Sequence, residues 1–318
     1  MVINSGEQRS THRNEVTLAG REATTRRHKV SPALLFLLPW LIGLILFLLG
    51  PILASLFLSF TEFDGLNAPV FIGLRNYIEI FSSDPKLLAS LQVTFTFAFI
   101  SLPLCTLIAI SFALLLNQKI KWQSFYRMLL YLPTIVPMVA SSVVWVWIFK
   151  ADAGILNKAL EFLFGWIPGF QAPLWLADPN WALPALIIMS FWSIGNPMII
   201  YLAGLQNIPN SLYESADIDG ASSLQKLWHI TLPILSPTIF FNVIIGIIQV
   251  FQYFVPAYVM TSGGPQNSTM FYSLYTYQTA FDDFRMGYAS GLAWILFLIV
   301  LIATALAFRV SKKLVHYN

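Results

Sequence analysis

The chain has 318 residues, 57% of them hydrophobic and only 10% charged, with a mean hydropathy of +0.69. A soluble domain carries about 25% charged residues, so an ordinary soluble enzyme is excluded. The net charge of +3 forms no contiguous basic stripe that nucleic acid would need. Cys105 is the single cysteine and lies in an apolar run, which excludes a disulfide framework and a cysteine-rich metal site.

Residues 1–30 hold six Lys or Arg and no apolar stretch before Ala33. The apolar run that follows is long enough to span a bilayer, so the segment reads as a cytoplasmic tail and not as a cleaved signal peptide. A formal charge at the bilayer centre costs roughly 2.5 to 3.5 kcal/mol on insertion scales, so charge-free runs mark candidate spans. They are Val30 to Thr61, Leu87 to Gln118, Met128 to Phe149, Pro179 to Tyr213, Ile230 to Phe281 and Met286 to Phe308. Each exceeds the roughly 20 residues a crossing helix needs. The fifth run is long enough for two spans but is expected to hold one. Ile234 to Met260 is continuously apolar, Thr261 to Thr269 is dense in turn formers, and Met270 to Phe281 reads as a short interfacial segment. Trp166, Trp175 and Trp181 are expected in an aromatic belt at the outer surface.

Six spans put both termini on one side. The side with the N-terminal tail, the loop of Lys119, Lys121 and Arg127, the loop of Lys226, and the C-terminal tail carries 13 basic residues against five on the other. The positive-inside rule makes both termini cytoplasmic.

The loop between the fourth and fifth spans is heavily punctuated. Ser211 and Glu214 have the spacing of a capping box, Pro209 stops the preceding span, and Gly220 supplies a left-handed residue. The pattern predicts a helix over about 212–219, then a second stretch from Ser222 to His229 leading into Leu232-Pro233. A two-turn helix is unstable alone in water, so it must pack against something. Two readings stand on the residues alone: packing against the protein's own helix ends, or a small-residue knob of Ser215, Ala216, Gly220 and Ala221 offered to a soluble cytoplasmic partner.

Glu214-Ser-Ala216, Asp219-Gly220-Ala221 and Ile230-Thr-Leu-Pro233 resemble, in order and spacing, the EAA loop of binding-protein-dependent ABC importer permeases. Ser215 and Leu227 are mild departures. Further matches point to the sugar branch, the group that includes maltose, lactose and glycerol-phosphate importer permeases. They include Gly73-Leu-Arg-Asn-Tyr77, Gly154-Ile-Leu-Asn157, Ala203-Gly-Leu-Gln-Asn-Ile-Pro209 and Tyr258-Val-Met-Thr-Ser-Gly-Gly-Pro265. The resemblance implies an all-α membrane protein of six transmembrane helices with the type I importer permease fold, in the bacterial plasma (inner) membrane. It implies a cytoplasmic tail over 1–30, the first transmembrane helix with an extracytoplasmic loop over 31–86, a permease core of five helices over 87–310 with the coupling loop at 205–233, and a cytoplasmic tail over 311–318. It also implies that Glu214, Ser215, Ala216, Asp219, Gly220 and Ala221 dock on an ATPase subunit.

No phosphate loop of the G-x-x-x-x-G-K-[ST] type occurs, so this chain does not bind ATP by that route and the motor is expected on another polypeptide; the resemblance implies two partner subunits that bind ATP and Mg, with no cofactor, metal or catalytic residue on this chain. The further partners implied are a second, homologous permease forming a heterodimer, an extracytoplasmic solute-binding protein and membrane lipid. Near mid-membrane, Trp192, Ser193 and Asn196 share a helical face, as do Gly246, Gln249 and Tyr253, with Gln252 alongside. Amides and hydroxyls suit sugar hydroxyls, and Trp or Tyr suits the apolar face of a sugar ring. These seven residues are the candidate solute path, although intramembrane Gln, Asn and Ser also serve helix packing. A neutral disaccharide, an acidic uronate oligosaccharide and glycerol phosphate all remain open as solutes, and an ion-coupled secondary transporter is the alternative of another class.

Overall fold

The computed structural model describes residues 32–118 and 120–314; the candidate tail over 1–30 and the final residues from 315 lie outside the described residues. Two compact units are distinguished, residues 1–51 and residues 52–318. The first contributes the described helix Pro32–Gly43 and a π-helical stretch Leu44–Leu49. Among the described residues of the second, helices follow one another with a single two-stranded antiparallel hairpin, Thr61–Glu62 paired with Val70–Phe71.

Among the described residues, four helices are long and apolar enough to cross a membrane: Phe36–Leu58, Pro85–Asn117, Ser223–Met260 and Met286–Lys312. Two further candidates are bent pairs, Gln123–Ile135 with Met138–Ile148 at 99°, and Pro179–Ser193 with Gly195–Gln206 at 46°, which brings the number of spans to six if each pair is one. The sequence predicts uninterrupted spans there, and the structure corrects this. Pro137 follows Val136, whose backbone is extended at φ −69° and ψ 129°, as proline demands of the residue before it. The fourth span breaks at Phe191–Ser193, a short 3₁₀ turn. As expected, the fifth run holds one candidate span. Its last part, Tyr272–Phe281, is a short helix with Tyr272, Leu274, Tyr275 and Thr279 buried against the rest of the chain.

The second span is the axis of the larger unit. Near its start, Ile80, Leu87, Phe97, Trp175, Phe271, Tyr272 and Leu292 close one core. Near its end, Ala109, Ala113, Leu116, Met198, Tyr201, Leu205, Ile208 and Leu235 close another. Its 33 residues correspond to about 50 Å of helix, and the two cores lie toward opposite ends of that helix. Trp175 is correspondingly not a belt residue. It is 6% exposed, and its indole N–H donates to Asn157 Oδ1 at 2.6 Å. Trp166 and Trp181 are exposed.

One carboxylate ties the first end together. Asp84 caps the second span by accepting from the Lys86 and Leu87 amides at 2.9 and 3.2 Å, which satisfies free donors of the first turn. Its other oxygen accepts from the phenols of Tyr275 and, at 2.7 Å, Tyr288. Burial, and then the hydrogen bond and charge of Asp84, push the Tyr275 pKa up, so that phenol remains a donor. A single side chain thereby joins the second span, the helix Tyr272–Phe281 and the sixth span.

Candidate functional site

The loop that carries the strongest sequence signal sits at the second core, because Ile208 packs beside Leu116. Its helix runs Asn210–Ile218, two residues earlier than expected, beginning directly after Pro209. The expected Ser211–Glu214 capping box is absent, and the helix start has no side-chain cap. A capping box does form, eleven residues on: Ser222 Oγ accepts from the Gln225 amide while Gln225 Oε1 accepts from the Ser222 amide at 2.7 Å. It opens the helix Ser223–Lys226, which passes through a π-helical stretch Leu227–Thr231 into the fifth span, so the stretch predicted as Ser222 to His229 is two helical forms in series.

The C-terminal end of the first loop helix matches the expectation. Gly220 has φ +73°, the Gly220 amide donates to Asp217 O at 3.1 Å, and the Ala221 amide donates to Ala216 O at 2.9 Å. That pair of bonds is the Schellman arrangement, which uses carbonyls the helix would otherwise leave unpaired. Lys226 makes an ion pair with Asp217, and the Tyr213 phenol is hydrogen-bonded to Thr231 Oγ1 at 2.9 Å. The two short helices are therefore locked to each other and to the fifth span.

Glu214, Ser215, Asp219 and Gly220 are exposed, whereas Ala216 and Ala221 are half-buried. The alanines line a cleft of about 240 Å³ with Asp219, Gln225, Lys226 and His229. Sequence reasoning missed the apolar residues that project beside it. Ile218 is 87% exposed on the last turn of the helix, and Leu224 and Trp228 are also exposed. Apolar side chains on a polar loop mark an interaction surface. The available signal was an isoleucine between two aspartates in a two-turn helix.

The candidate solute-path residues differ in exposure and in what they pack against. Ser193 and Asn196 are exposed and flank the break in the fourth span, so they do not share the regular helical face predicted for them. Trp192 packs edge-to-face on Trp145 at 5.7 Å, and the buried N–H of each indole has no hydrogen-bond partner. In the fifth span Gln249 and Gln252 are exposed, the latter just past the helix end at Phe251. Tyr253 instead sits among Phe97 at 4.4 Å and Phe271 at 5.0 Å, in the core. Gly246 lies against Leu102 of the second span, where a Cβ would collide. Ser193, Asn196, Gln249 and Gln252 thus present polar groups outward, while Gly246 and Tyr253 pack inward.

The breaks meet. A Cβ on Gly195 would lie 2.7 Å from Leu130 O, 2.7 Å from Thr134 Cγ2 and 3.0 Å from Tyr131 Cα. The break in the fourth span therefore crosses the end of Gln123–Ile135 at backbone contact. Discontinuous helices at membrane depth are tolerated where protein buries them or where they line a cavity.

Residues 106–316 match the model of the family described as "binding-protein-dependent transport system inner membrane component". The chain belongs to this family. It is a multi-pass inner-membrane protein, the permease subunit of a binding-protein-dependent importer. It is 45% identical over 287 residues to the probable ABC transporter permease protein YesP of Bacillus subtilis, covering 89% of this chain and 91% of that one. It is 34% identical over 284 residues to the sulfoquinovosyl glycerol transport system permease protein SmoG of Agrobacterium fabrum, covering 88% and 90%. Its fold resembles a chain of the bacterial alginate ABC transporter solved in complex with an alginate pentasaccharide-bound periplasmic protein, with a TM-score of 0.77, 22% identity and coverage of 89% of this chain and 94% of that chain.

Proposed function

We propose that this permease carries a sugar or oligosaccharide inward, driven by ATP hydrolysis on separate subunits, and that its loop helix is the coupling element. The observation that carries the reading is the loop end itself: a rigidly closed helix with exposed Ile218 beside a cleft, about 50 Å from the opposite end of the second span. Glu214, Ser215, Ala216, Asp219, Gly220 and Ala221 form or flank that surface, and two ATPase subunits bind ATP and Mg, so this chain needs no cofactor and performs no catalysis of its own. Both termini are cytoplasmic, as the distribution of basic residues requires. A second, homologous permease completes the pore, and a solute receptor delivers the cargo to the outer face.

The sugar assignment draws support from the sulfoquinovosyl glycerol permease, whose name specifies a glycoside. Ser193, Asn196, Gln249 and Gln252 supply exposed hydroxyl and amide groups suited to sugar hydroxyls. Trp192, Gly246 and Tyr253 shape the path from behind them. In alternating access, the two permeases rock between outward- and inward-facing arrangements as the ATPases close and reopen. The test is reconstitution of the assembled complex with its receptor in liposomes: uptake requires ATP and is lost in Ile218→Asp while the permease still inserts. Uptake that persists without ATP but collapses with the ion gradient overturns this reading in favour of a secondary transporter.

A further inference from the structure

Trp145 is not among the candidate path residues, yet it touches the turn that carries one of them. Phe191–Ser193 is the 3₁₀ turn that breaks the fourth span, and Ser193 and Asn196 are exposed on either side of Ile194 and Gly195. The break is pinned at two points, and both partners belong to the bent third span. Gly195 lies against Leu130, Tyr131 and Thr134 of the limb Gln123–Ile135, leaving no room for a Cβ. Trp192 packs edge-to-face on Trp145 of the other limb, Met138–Ile148, with ring centroids 5.7 Å apart. Ser193 lies between the two pins, and Asn196 directly follows the second. The limb of Trp145 also packs along Val255–Met260, the helix that follows Gln249, Gln252 and Tyr253 in the chain.

From Trp145 the rings continue into the core at the start of the second span. Trp145 meets Phe149 at 5.0 Å, and Phe149 meets Trp175 at 5.5 Å. Phe149 and Trp175 are buried, and the column ends in a hydrogen-bonded clamp. The Asn157 amide accepts from the Trp175 indole at 2.6 Å and donates through Nδ2 to Ala151 O at 3.0 Å and Pro173 O at 3.1 Å. One buried side chain thus closes the loop between the third and fourth spans and fixes the last ring. Interiors packed at crystal density transmit a displacement from one side chain to the next. The buried Trp145 N–H has no partner, so desolvating it brings no bond in return. What this position uses is therefore the ring, through its volume and its edge.

We infer that Trp145 is a positioning residue for the solute path: it seats Trp192, fixes the break in the fourth span and so holds Ser193 and Asn196 toward the solute, while Asn157 steadies the same break from the loop through Trp175 and Phe149. The inference rests on the sugar reading above for what passes Ser193 and Asn196. A hydroxyl or amide recognises a sugar hydroxyl only within a narrow range of distance and angle. A broken helix has lost part of the backbone ladder that would set those angles, so the packing around the break must set them. Trp145 supplies that packing on one side and the Leu130–Thr134 backbone on the other.

The test uses the assembled importer in nanodiscs. Labelled maltose, an alginate trisaccharide and sulfoquinovosyl glycerol serve as probes in equilibrium dialysis without receptor, and hydrogen exchange reads the amides of residues 190–196. Trp145→Leu should weaken binding of the retained probe and speed that exchange, each by about two- to tenfold, the equilibrium equivalent of one edge-to-face aromatic pair. Trp145→Phe should restore most of both, because the N–H is not used. Asn157→Ala should move both in the same direction by less, and Trp166→Ala, exposed on the same loop outside the column, should move neither. In a Trp192→Leu background, Trp145→Leu should add nothing to either. A lower melting temperature in Trp145→Leu with probe affinity and exchange unchanged makes the column mere packing and overturns the inference, as do additive effects of Trp145→Leu and Trp192→Leu. Either result leaves the importer reading standing. If Trp145→Leu fails to assemble, Asn157→Ala decides, since unchanged exchange at 190–196 in that variant overturns the inference equally. Wild-type importer that retains none of the three probes and takes up none of them with its receptor overturns the sugar reading and this inference with it.

Discussion

Replacing Gly220 isolates a backbone effect from a steric one. The residue holds φ +73°, and an added Cβ would meet nothing within 4 Å. A valine there suffers no clash, only the left-handed backbone, which costs an L-residue roughly 1–2 kcal/mol and a β-branched one the upper part of that range. If the chain relaxes instead, it gives up the Gly220-to-Asp217 and Ala221-to-Ala216 hydrogen bonds at 3.1 and 2.9 Å, worth about 1 kcal/mol each net. Both routes arrive near 2 kcal/mol, which is about a 30-fold shift toward a frayed helix end. Asparagine tolerates the left-handed region and should keep most of the native geometry. ATP-driven uptake in proteoliposomes should therefore fall in the order Gly, Asn, Ala, Val at position 220, with insertion and melting of the spans unchanged. Equal uptake for Gly220→Asn and Gly220→Val would refute the reasoning, because the two differ mainly in the conformation they accept.

Gly195→Ala should destabilise the permease by about 1–3 kcal/mol, the range for forcing an extra carbon into a packed site, since its Cβ would press on Leu130 O and Thr134; an unchanged melting temperature in detergent would show that the two broken spans do not cross as described. Asp84→Ala removes the cap of the second span and strands the Tyr275 and Tyr288 phenols, a loss of about 1 kcal/mol from the cap alone. Tyr288→Phe should cost less because Tyr275 still donates, and a larger loss in Tyr288→Phe than in Asp84→Ala would remove Asp84 from the centre of that network. Gln249→Ala should raise the solute concentration for half-maximal uptake while leaving assembly with the ATPases intact, whereas Tyr253→Ala should lower thermal stability, because that ring is packed on Phe97 and Phe271. Matching effects of the two changes on uptake and on melting would erase the distinction between an outward-facing and an inward-packed residue.

Much of this was legible along the chain. Charge is excluded from a bilayer wherever it falls, so the apolar runs alone located all the candidate spans, and the positive φ at Gly220 followed from a local signal, since few residues other than glycine accept it. The helix caps were half legible. Ser211–Glu214 and Ser222–Gln225 have the same spacing, and only the actual start of the helix after Pro209 decided which pair closes a box. What remained hidden depends on residues far apart in sequence. Trp175 looks like an interfacial tryptophan until Asn157 is beside it, and Tyr253 looks like Gln249 until Phe97 and Phe271 enclose it. Gly195 carries no mark of a crossing until Leu130 and Thr134 arrive at backbone contact, and Asp84 no mark of a junction until two tyrosines about 190 and 200 residues later reach the same oxygen. Bilayer solvation and φ limits act on each residue where it stands, whereas the direction a side chain faces is settled only when distant helices pack.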